Sequence, residues 1–338
     1  MNSKTVQIAI VVMFTGLSTI GWQANAQLES VPGGFGLYGY GARGAGMGNA
    51  AGAVTTGRIA ALYNPALAPF QSDHQVYTSH AFLSLDRQLE YISYTKSLTL
   101  RHKGARHFED DPDIQSIAGV SFSWVHAGVS NIDGRDADGF KTGELSTFEN
   151  QFSITVANRF SDRFSIGLNF KFYYSQLYQD VTSSGFGFDI GILYSLFPRF
   201  TIGLITQELG SKYEWDTSKL YGVQNGNQTT DPFARHYRIA GSYLSPDSSV
   251  TIGAEVDVTS RKTTFARLGV EYRIVPQVTV RAGVDNLEIT DTGMEPRPSF
   301  GFTVWKPLAA FVVDITYAFI VEPVAPSSTH VLSVIVLL

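Results

Sequence analysis

Apolar and polar side chains alternate along runs of about ten residues through much of the chain, a pattern typical of membrane barrel strands. Every second residue from Phe164 to Tyr174 is aromatic or aliphatic, and the same holds from Val250 to Val258. Because successive side chains of a strand point to opposite faces, each run predicts a strand with one face for lipid and one for water. A helix would scatter these residues around its axis.

The connections between these runs are alternately tight and long. The tight ones fall at 161–163, 198–199, 246–248, 276–277 and 307–308, and four of the five contain proline. The longer ones cover roughly 175–183, 207–234, 259–264, 286–298 and 320–329, and they are rich in Gly, Asn, Asp, Thr and Pro. Bacterial outer-membrane barrels have this order, with short turns in the periplasm and longer loops outside.

Fourteen candidate strands can be counted, an allowed even number for a bacterial barrel. They are 74–84, 89–99, 115–129, 147–160, 164–177, 184–196, 199–207, 235–245, 249–259, 264–274, 278–286, 299–306, 309–319 and 329–338. We therefore predict an all-β fold, a transmembrane antiparallel β-barrel of about 14 strands with both ends in the periplasm. One turn is long: the charged 100–114 insertion, predicted to be a solvated turn.

Composition agrees with this class of protein. Of the 338 residues, 44% are hydrophobic and 13% aromatic, 32 are glycine, and the mean hydropathy is +0.01, too polar for helical membrane spans. The net charge of −5 argues against a nucleic-acid partner, which would favour a basic surface. The absence of cysteine excludes disulfides, thiol catalysis and a lipoprotein anchor.

The N-terminus predicts export. Lys4 is followed by an apolar stretch over 6–17, and Ala24-Asn25-Ala26 matches a signal-peptide cleavage site. We predict a cleaved signal peptide over 1–26, a Gly/Ala-rich segment over 27–72, and a barrel over 73–338 in the outer membrane of a Gram-negative bacterium. Since the 27–72 segment is too rich in small residues for a lipid-facing strand, we predict that it is a lumenal plug or hatch.

Two parts of the chain resemble a known family. The runs 41–50 and 61–68 resemble the N-terminal signature of the PorV/PorQ family, and 253–257, 268–272, 280–283, 314–318 and 329–334 resemble its C-terminal part. The plug residues that carry this likeness are Gly41, Arg43, Gly44, Gly46, Met47, Gly48, Asn64 and Pro65. The resemblance implies a FadL-like barrel with this plug. For some members of the family it also implies a role in type IX secretion, in which the barrel receives the C-terminal signal domain of the secreted cargo.

Motifs with enzymatic meaning are sparse. Gly34 to Gly39 fits G-x-G-x-x-G but follows no strand of a βαβ unit, and the seven histidines have no ligand spacing. No serine or other nucleophile is marked with a base. We predict that the protein is not an enzyme and has no cofactor or metal.

Charged residues on the polar face of the later strands predict a lumenal network. Its predicted members are Glu255, Asp257, Glu271, Arg273, Arg281, Asp285 and Asp314. They would face the lumen because an arginine facing lipid at the midplane costs about 2–4 kcal/mol. Such a network either stiffens the barrel, the interpretation that we favour, or guides a solute or anchors the plug.

The 207–234 loop contains the aromatic residues Tyr213, Trp215 and Tyr221 among charges. Such residues would contact cargo, capture an apolar molecule, or pack down over the barrel mouth.

Besides outer-membrane lipid, two sets of partners therefore stay open. The favoured hypothesis is a barrel that docks secretion proteins and cargo of a type IX-like system, and the alternative is a FadL-like transporter of hydrophobic small molecules.

Overall fold

The computed structural model describes residues 32–71, 74–105, 107–178, 180–290, 295–308 and 311–338. The predicted signal peptide and its cleavage site lie outside these residues. No helix in the described part of the chain is long and apolar enough to cross a membrane. The regular structure consists almost entirely of β-strands.

Sixteen strands follow one another in the described part of the chain. They are β1 (Gln75–Phe82), β2 (Arg87–Arg101), β3 (Ile114–Arg135), β4 (Lys141–Arg159), β5 (Phe164–Tyr178), β6 (Val181–Phe197), β7 (Phe200–Leu209), β8 (Lys212–Asp216), β9 (Gln228–Pro232), β10 (His236–Leu244), β11 (Val250–Thr259), β12 (Thr264–Val275), β13 (Val278–Glu288), β14 (Arg297–Leu308), β15 (Phe311–Ile320) and β16 (Thr329–Leu337). Two short α-helices are α1 (Ala42–Gly46) and α2 (Ser218–Tyr221), and 3-10 helices cover Gly34–Tyr38 and Pro65–Phe70.

Fourteen of these strands close into one antiparallel barrel. Each strand pairs with its neighbour in sequence, β7 pairs with β10, and β1 pairs with β16 to complete the circle. β8 and β9 form a separate hairpin in the connection between β7 and β10. The predicted antiparallel barrel of 14 strands is therefore confirmed. We call the end with the tight turns the turn end and the opposite end the loop end.

The two faces of the barrel wall differ in polarity. On β5, Phe170 is 55% exposed, whereas its neighbours Asn169 and Lys171 are 0% and 2% exposed. The outward face is thus apolar and the inward face polar, the reverse of a soluble protein and the arrangement that a bilayer requires.

Three connections differ from the sequence-based expectation. The long connection predicted at 175–183 is wrong, because β5 and β6 stay paired up to Tyr178 and Val181. β3 and β4 extend well beyond the predicted ends at 129 and 147, since Ile132 still pairs with Leu145. The 100–114 insertion is not wholly solvated, because the side chain of Phe108 is buried.

Candidate functional site

The N-terminal segment, residues 32–71, lies inside the barrel. Little of it is regular, so its main-chain groups need partners elsewhere. Side chains of the wall supply them: Ser333 Oγ accepts from Ala42 N at 2.8 Å, and Gln207 Nε2 donates to Leu62 O at 2.9 Å. The segment is thus held by hydrogen bonds from several strands and adds no strand of its own to the barrel.

A belt of inward-facing glycines lets the segment approach the wall closely. At each of these positions a Cβ would lie within 3.4 Å of a segment atom: Gly119, Gly167, Gly191, Gly203, Gly253, Gly269, Gly283 and Gly301. At Gly283, for example, it would come closer than 3.0 Å to main-chain atoms of Met47 and Gly48, a separation that real Cβ atoms essentially never show. Glycine inside a strand marks such an approach of another backbone.

Most of the predicted plug residues have a visible structural role. Gly41 and Gly48 have φ of 96° and 58°, values that favour glycine. Gly44 lies against the Tyr63 ring, and Gly46 lies against the backbone of Gly301 in the wall.

The second half of the signature caps a helix. The Asn64 side chain accepts from Ala66 N at 3.0 Å and donates to Gly52 O at 2.8 Å. Pro65 then opens the 3-10 helix, at a position where a missing N–H costs nothing. Asn64 therefore joins the two halves of the segment.

Arg43 attaches the segment to the wall by an ion pair. Its Nε and Nη2 each lie 2.9 Å from a different oxygen of Glu271 on β12, and its Nη1 donates to Thr56 O at 2.7 Å. Arg281 on β13 shares the same carboxylate, with its Nε 2.6 Å from Glu271 Oε2. The bidentate geometry is the strong form of this interaction, and the side chain of Arg43 is only 5% exposed.

A second network lies around Arg267 on β12. Its guanidinium contacts Glu255 at 2.7 Å, Asp257 at 3.2 Å and Asp285 at 2.8 Å. Arg238 pairs with Glu255 at 3.0 Å. Together these pairs join strands β10 to β13 across the lumen wall, and each buried charge has a partner of opposite sign.

The same network also binds the segment. Glu255 accepts from Gly52 N at 3.3 Å, and Asp285 accepts from Asn49 Nδ2 at 2.8 Å. Asp314, on β15, pairs with Arg58 of the segment. The carboxylates therefore stiffen the wall and anchor the segment at once.

Arg273 does not join either network, and its expected place there was wrong. It faces inward two residues beyond Glu271, but its side chain is exposed because β12 has already reached the turn end of the barrel. Strand alternation gives the face of a residue but not its depth in the lumen.

The three aromatic residues of the 207–234 loop have different positions. Tyr213 is 2% exposed, with its ring centre 4.8 Å from that of Phe233 and its hydroxyl donating to Glu149 at 2.7 Å. Trp215 is half-buried against Tyr213, with ring centres 5.2 Å apart. Tyr221 is 63% exposed at the tip. The base of this loop thus packs down over the loop end of the lumen.

A buried ion-pair cluster lies beneath this loop. Lys171 on β5 contacts Asp189 at 3.0 Å and Glu208 at 2.5 Å, and Tyr173 donates to Glu208 at 2.6 Å. Glu208 has a φ of 63°, in the region that non-glycine residues rarely adopt. The cluster therefore fixes the end of β7, where the loop begins.

The insertion packs against the barrel at its turn end. The Arg159 guanidinium lies between two rings, 4.6 Å from the centre of Phe70 in the segment and 5.1 Å from that of Phe108 in the insertion. Glu109 N donates to Asp162 in the adjacent turn at 2.7 Å. Arg159 of the wall thus links the insertion to the end of the N-terminal segment, and the insertion packs against the adjacent turn.

Three cavities that lie between the segment and the wall are small. Their volumes are about 40, 10 and 10 Å³. A water molecule needs roughly 10–15 Å³, so these spaces have the size of one to a few water molecules and are too small for an aromatic hydrocarbon. The first is lined by Tyr40 and Arg238 among others.

Several of these residues were not foreseen. Arg267 lies on the same face of the same strand as Glu271, so the alternation could have found it. Arg297, which pairs with Asp285 at 3.1 Å, fell in a predicted loop. Among the described residues no group of three or more His, Asp or Glu side chains could hold a metal ion.

Comparison with known proteins supports the fold. No protein-family model matches the sequence, and no curated protein matches it. The chain is similar in structure to the Ralstonia pickettii toluene transporter TbuX (TM-score 0.56, 12% identity, 89% of this chain and 98% of that chain) and to the Pseudomonas putida toluene transporter TodX (0.57, 11%, 88% and 96%). It is also similar to the CymD monoaromatic hydrocarbon channel (0.57, 13%, 89% and 97%). These neighbours are channels and transporters, and the likeness defines the fold class.

Proposed function

We propose that this protein is an outer-membrane transporter of hydrophobic small molecules, which cross when the N-terminal segment moves. The similar structures include transporters of toluene and channels for monoaromatic hydrocarbons, and the fold is the same. This proposal replaces secretion as the preferred function, because the structural comparisons favour it over the likeness to the PorV/PorQ family.

The observation that carries the proposal is the independence of the barrel from its plug. All 14 barrel strands pair with one another in a closed circle, and the segment contributes no strand. Displacing the segment therefore breaks side-chain hydrogen bonds and ion pairs but no strand ladder. On this proposal the structure represents a closed state, because the three described lumenal cavities, of about 40, 10 and 10 Å³, are too small for an aromatic hydrocarbon.

Uptake of labelled toluene tests this proposal. Cells of a Gram-negative strain without a hydrocarbon channel would be compared with and without the protein, at equal amounts of folded barrel. We expect several-fold faster toluene uptake with the protein and no change for a polar sugar of similar size. Equal toluene uptake in both strains would refute the transport function.

Docking of secreted proteins is the second candidate. It is favoured by the closed lumen and by β3 and β4, whose paired ends at 130–146 project past the barrel rim with Phe140 72% exposed. A barrel that docks cargo needs no open channel. Purification of the tagged protein from its native membrane in mild detergent would recover secretion components or cargo with a shared C-terminal domain. A barrel that co-purifies with neither contradicts this candidate.

A further inference from the structure

A concave groove of about 610 Å³ lies on the lipid-facing surface of β1 to β6, outside the lumen. Its aromatic floor consists of Phe122, Trp124, Phe152, Phe170, Phe172 and Phe186. The Phe172 ring centre lies 6.3 Å from that of Phe152 and 5.2 Å from that of Phe186, so these rings form a continuous apolar surface. The volume falls within the range of small-molecule sites, which is enough for a hydrocarbon chain.

Hydrogen-bond donors gather at the turn end of this groove. Tyr94 lines the groove, and its hydroxyl lies 2.7 Å from His74 Nδ1. Lys96 is two residues further along β2, on the same outward face, and is half-buried. Since Thr95 is paired with Gln75, the residue that follows His74, the strand register places His74, Tyr94 and Lys96 at neighbouring positions of the wall.

Lys96 lacks a protein counter-ion. No carboxylate in the described part of the chain lies within ion-pair distance of its Nζ. A cation on the lipid face of a barrel is costly at the midplane and is favoured where it meets anionic headgroups. Its position therefore points to a phosphate from the membrane.

The opposite end of the groove has the opposite charge. Glu90 lies on the same outward face of β2, paired with His80 at 3.5 Å. Six residues separate it from Lys96, about 20 Å along a strand and about 15 Å across the membrane at the usual tilt. That height is about half of the 30 Å hydrocarbon core, which is one leaflet.

We propose that this groove binds one glycerophospholipid, with its phosphate on Lys96 and an acyl chain along the aromatic floor. The phosphate is an acceptor that meets the Lys96 ammonium and one remaining donor of the hydrogen-bonded His74–Tyr94 pair at the turn end, whereas the carboxylate of Glu90 repels it at the other end. The lipid therefore has one orientation, with its headgroup in the leaflet at the turn end. This site is independent of the lumen and of the proposed transport.

Native mass spectrometry of the full-length barrel tests the site. The protein would be stripped of lipid in detergent and titrated with phosphatidylglycerol. We expect one lipid to bind first, with at least tenfold weaker affinity in Lys96→Gln. Lys306→Gln is the matched control, because Lys306 also lies outward at the turn end, on β14 outside the groove, and we expect no change there.

A second variant tests the acyl-chain part of the site. Ile154 lines the groove and is 48% exposed, so Ile154→Trp fills the groove without touching the lumen. We expect loss of the first lipid while the heat-modifiable mobility of the folded barrel is retained. If the wild type and the three variants all bound several lipids equally well, the lipid would be ordinary boundary lipid, and the proposal would be overturned. Displacement of the lipid by dodecane with equal affinity in wild type and Lys96→Gln would do the same.

Discussion

Gly283→Ala adds one methyl group where the N-terminal segment touches the wall. The new Cβ would lie within 3.0 Å of main-chain atoms of Met47 and Gly48, and backbone cannot rotate away as a side chain would. Overpacking of this kind costs about 1–3 kcal/mol. Without the segment, replacing a strand glycine by alanine would instead stabilise the barrel by roughly 0.5–1 kcal/mol. The change in the free energy of unfolding therefore has opposite signs with and without the segment against the wall.

Gly241→Ala is the matched control, because no atom lies within 4 Å of the Cβ that it would carry on β10. The free energy of unfolding would be measured in guanidinium for barrels refolded into lipid vesicles. We expect Gly283→Ala to be about 1–3 kcal/mol less stable than the wild type and Gly241→Ala to be equal or more stable. If both variants gain stability equally, the close contact between segment and wall does not exist.

Three further predictions concern charges and the turn end. Glu271→Gln leaves two buried arginines without their shared carboxylate and should cost about 3–5 kcal/mol in urea unfolding, whereas Arg43→Gln should cost less, because the carboxylate keeps its wall partner. Phe108→Ala should speed tryptic cleavage of the insertion at unchanged barrel stability, and an unchanged rate would contradict its anchoring role. At an exposed turn, hydrogen bonds led by that from Ser245 lower the pKa of Asp247 to about 2, so this carboxylate stabilises the fold above its unfolded pKa and stops doing so as the pH falls through about 2. In Ser245→Ala this hydrogen bond is lost, so NMR titration should show a higher pKa for Asp247 than in the wild type.

The barrel was predictable because its signal is local. Alternation along each strand, as from Phe164 to Tyr174, reports which face meets lipid, and proline marks the tight turns. The failures occurred where the information is not local. Arg273 has the correct face but lies at the barrel end, and the 175–183 connection closes tightly because paired strands continue there.

The lumenal contacts were only partly predictable. Glycines such as Gly269 and Gly283 interrupt otherwise regular strands, and this irregularity was visible in the sequence. Their common structural role was not visible in the sequence, because each one accommodates the N-terminal segment. For Gly269 that segment is more than 200 residues away along the chain. The loop residue Tyr213 likewise becomes buried through contact with Phe233 and Glu149, a three-dimensional arrangement that composition does not encode.

A reversible lock between plug and wall tests the central claim most directly. A Cβ at Gly46 would lie 3.5 Å from that of Ala318 on β15, within the range that a disulfide spans, and the chain contains no cysteine of its own. The double variant Gly46→Cys and Ala318→Cys would be assayed for toluene uptake in oxidised and reduced form. We expect uptake that stops on oxidation and returns on reduction, with both single variants unaffected. Equal uptake in the two forms would show that the segment need not move and would contradict the proposed transport mechanism.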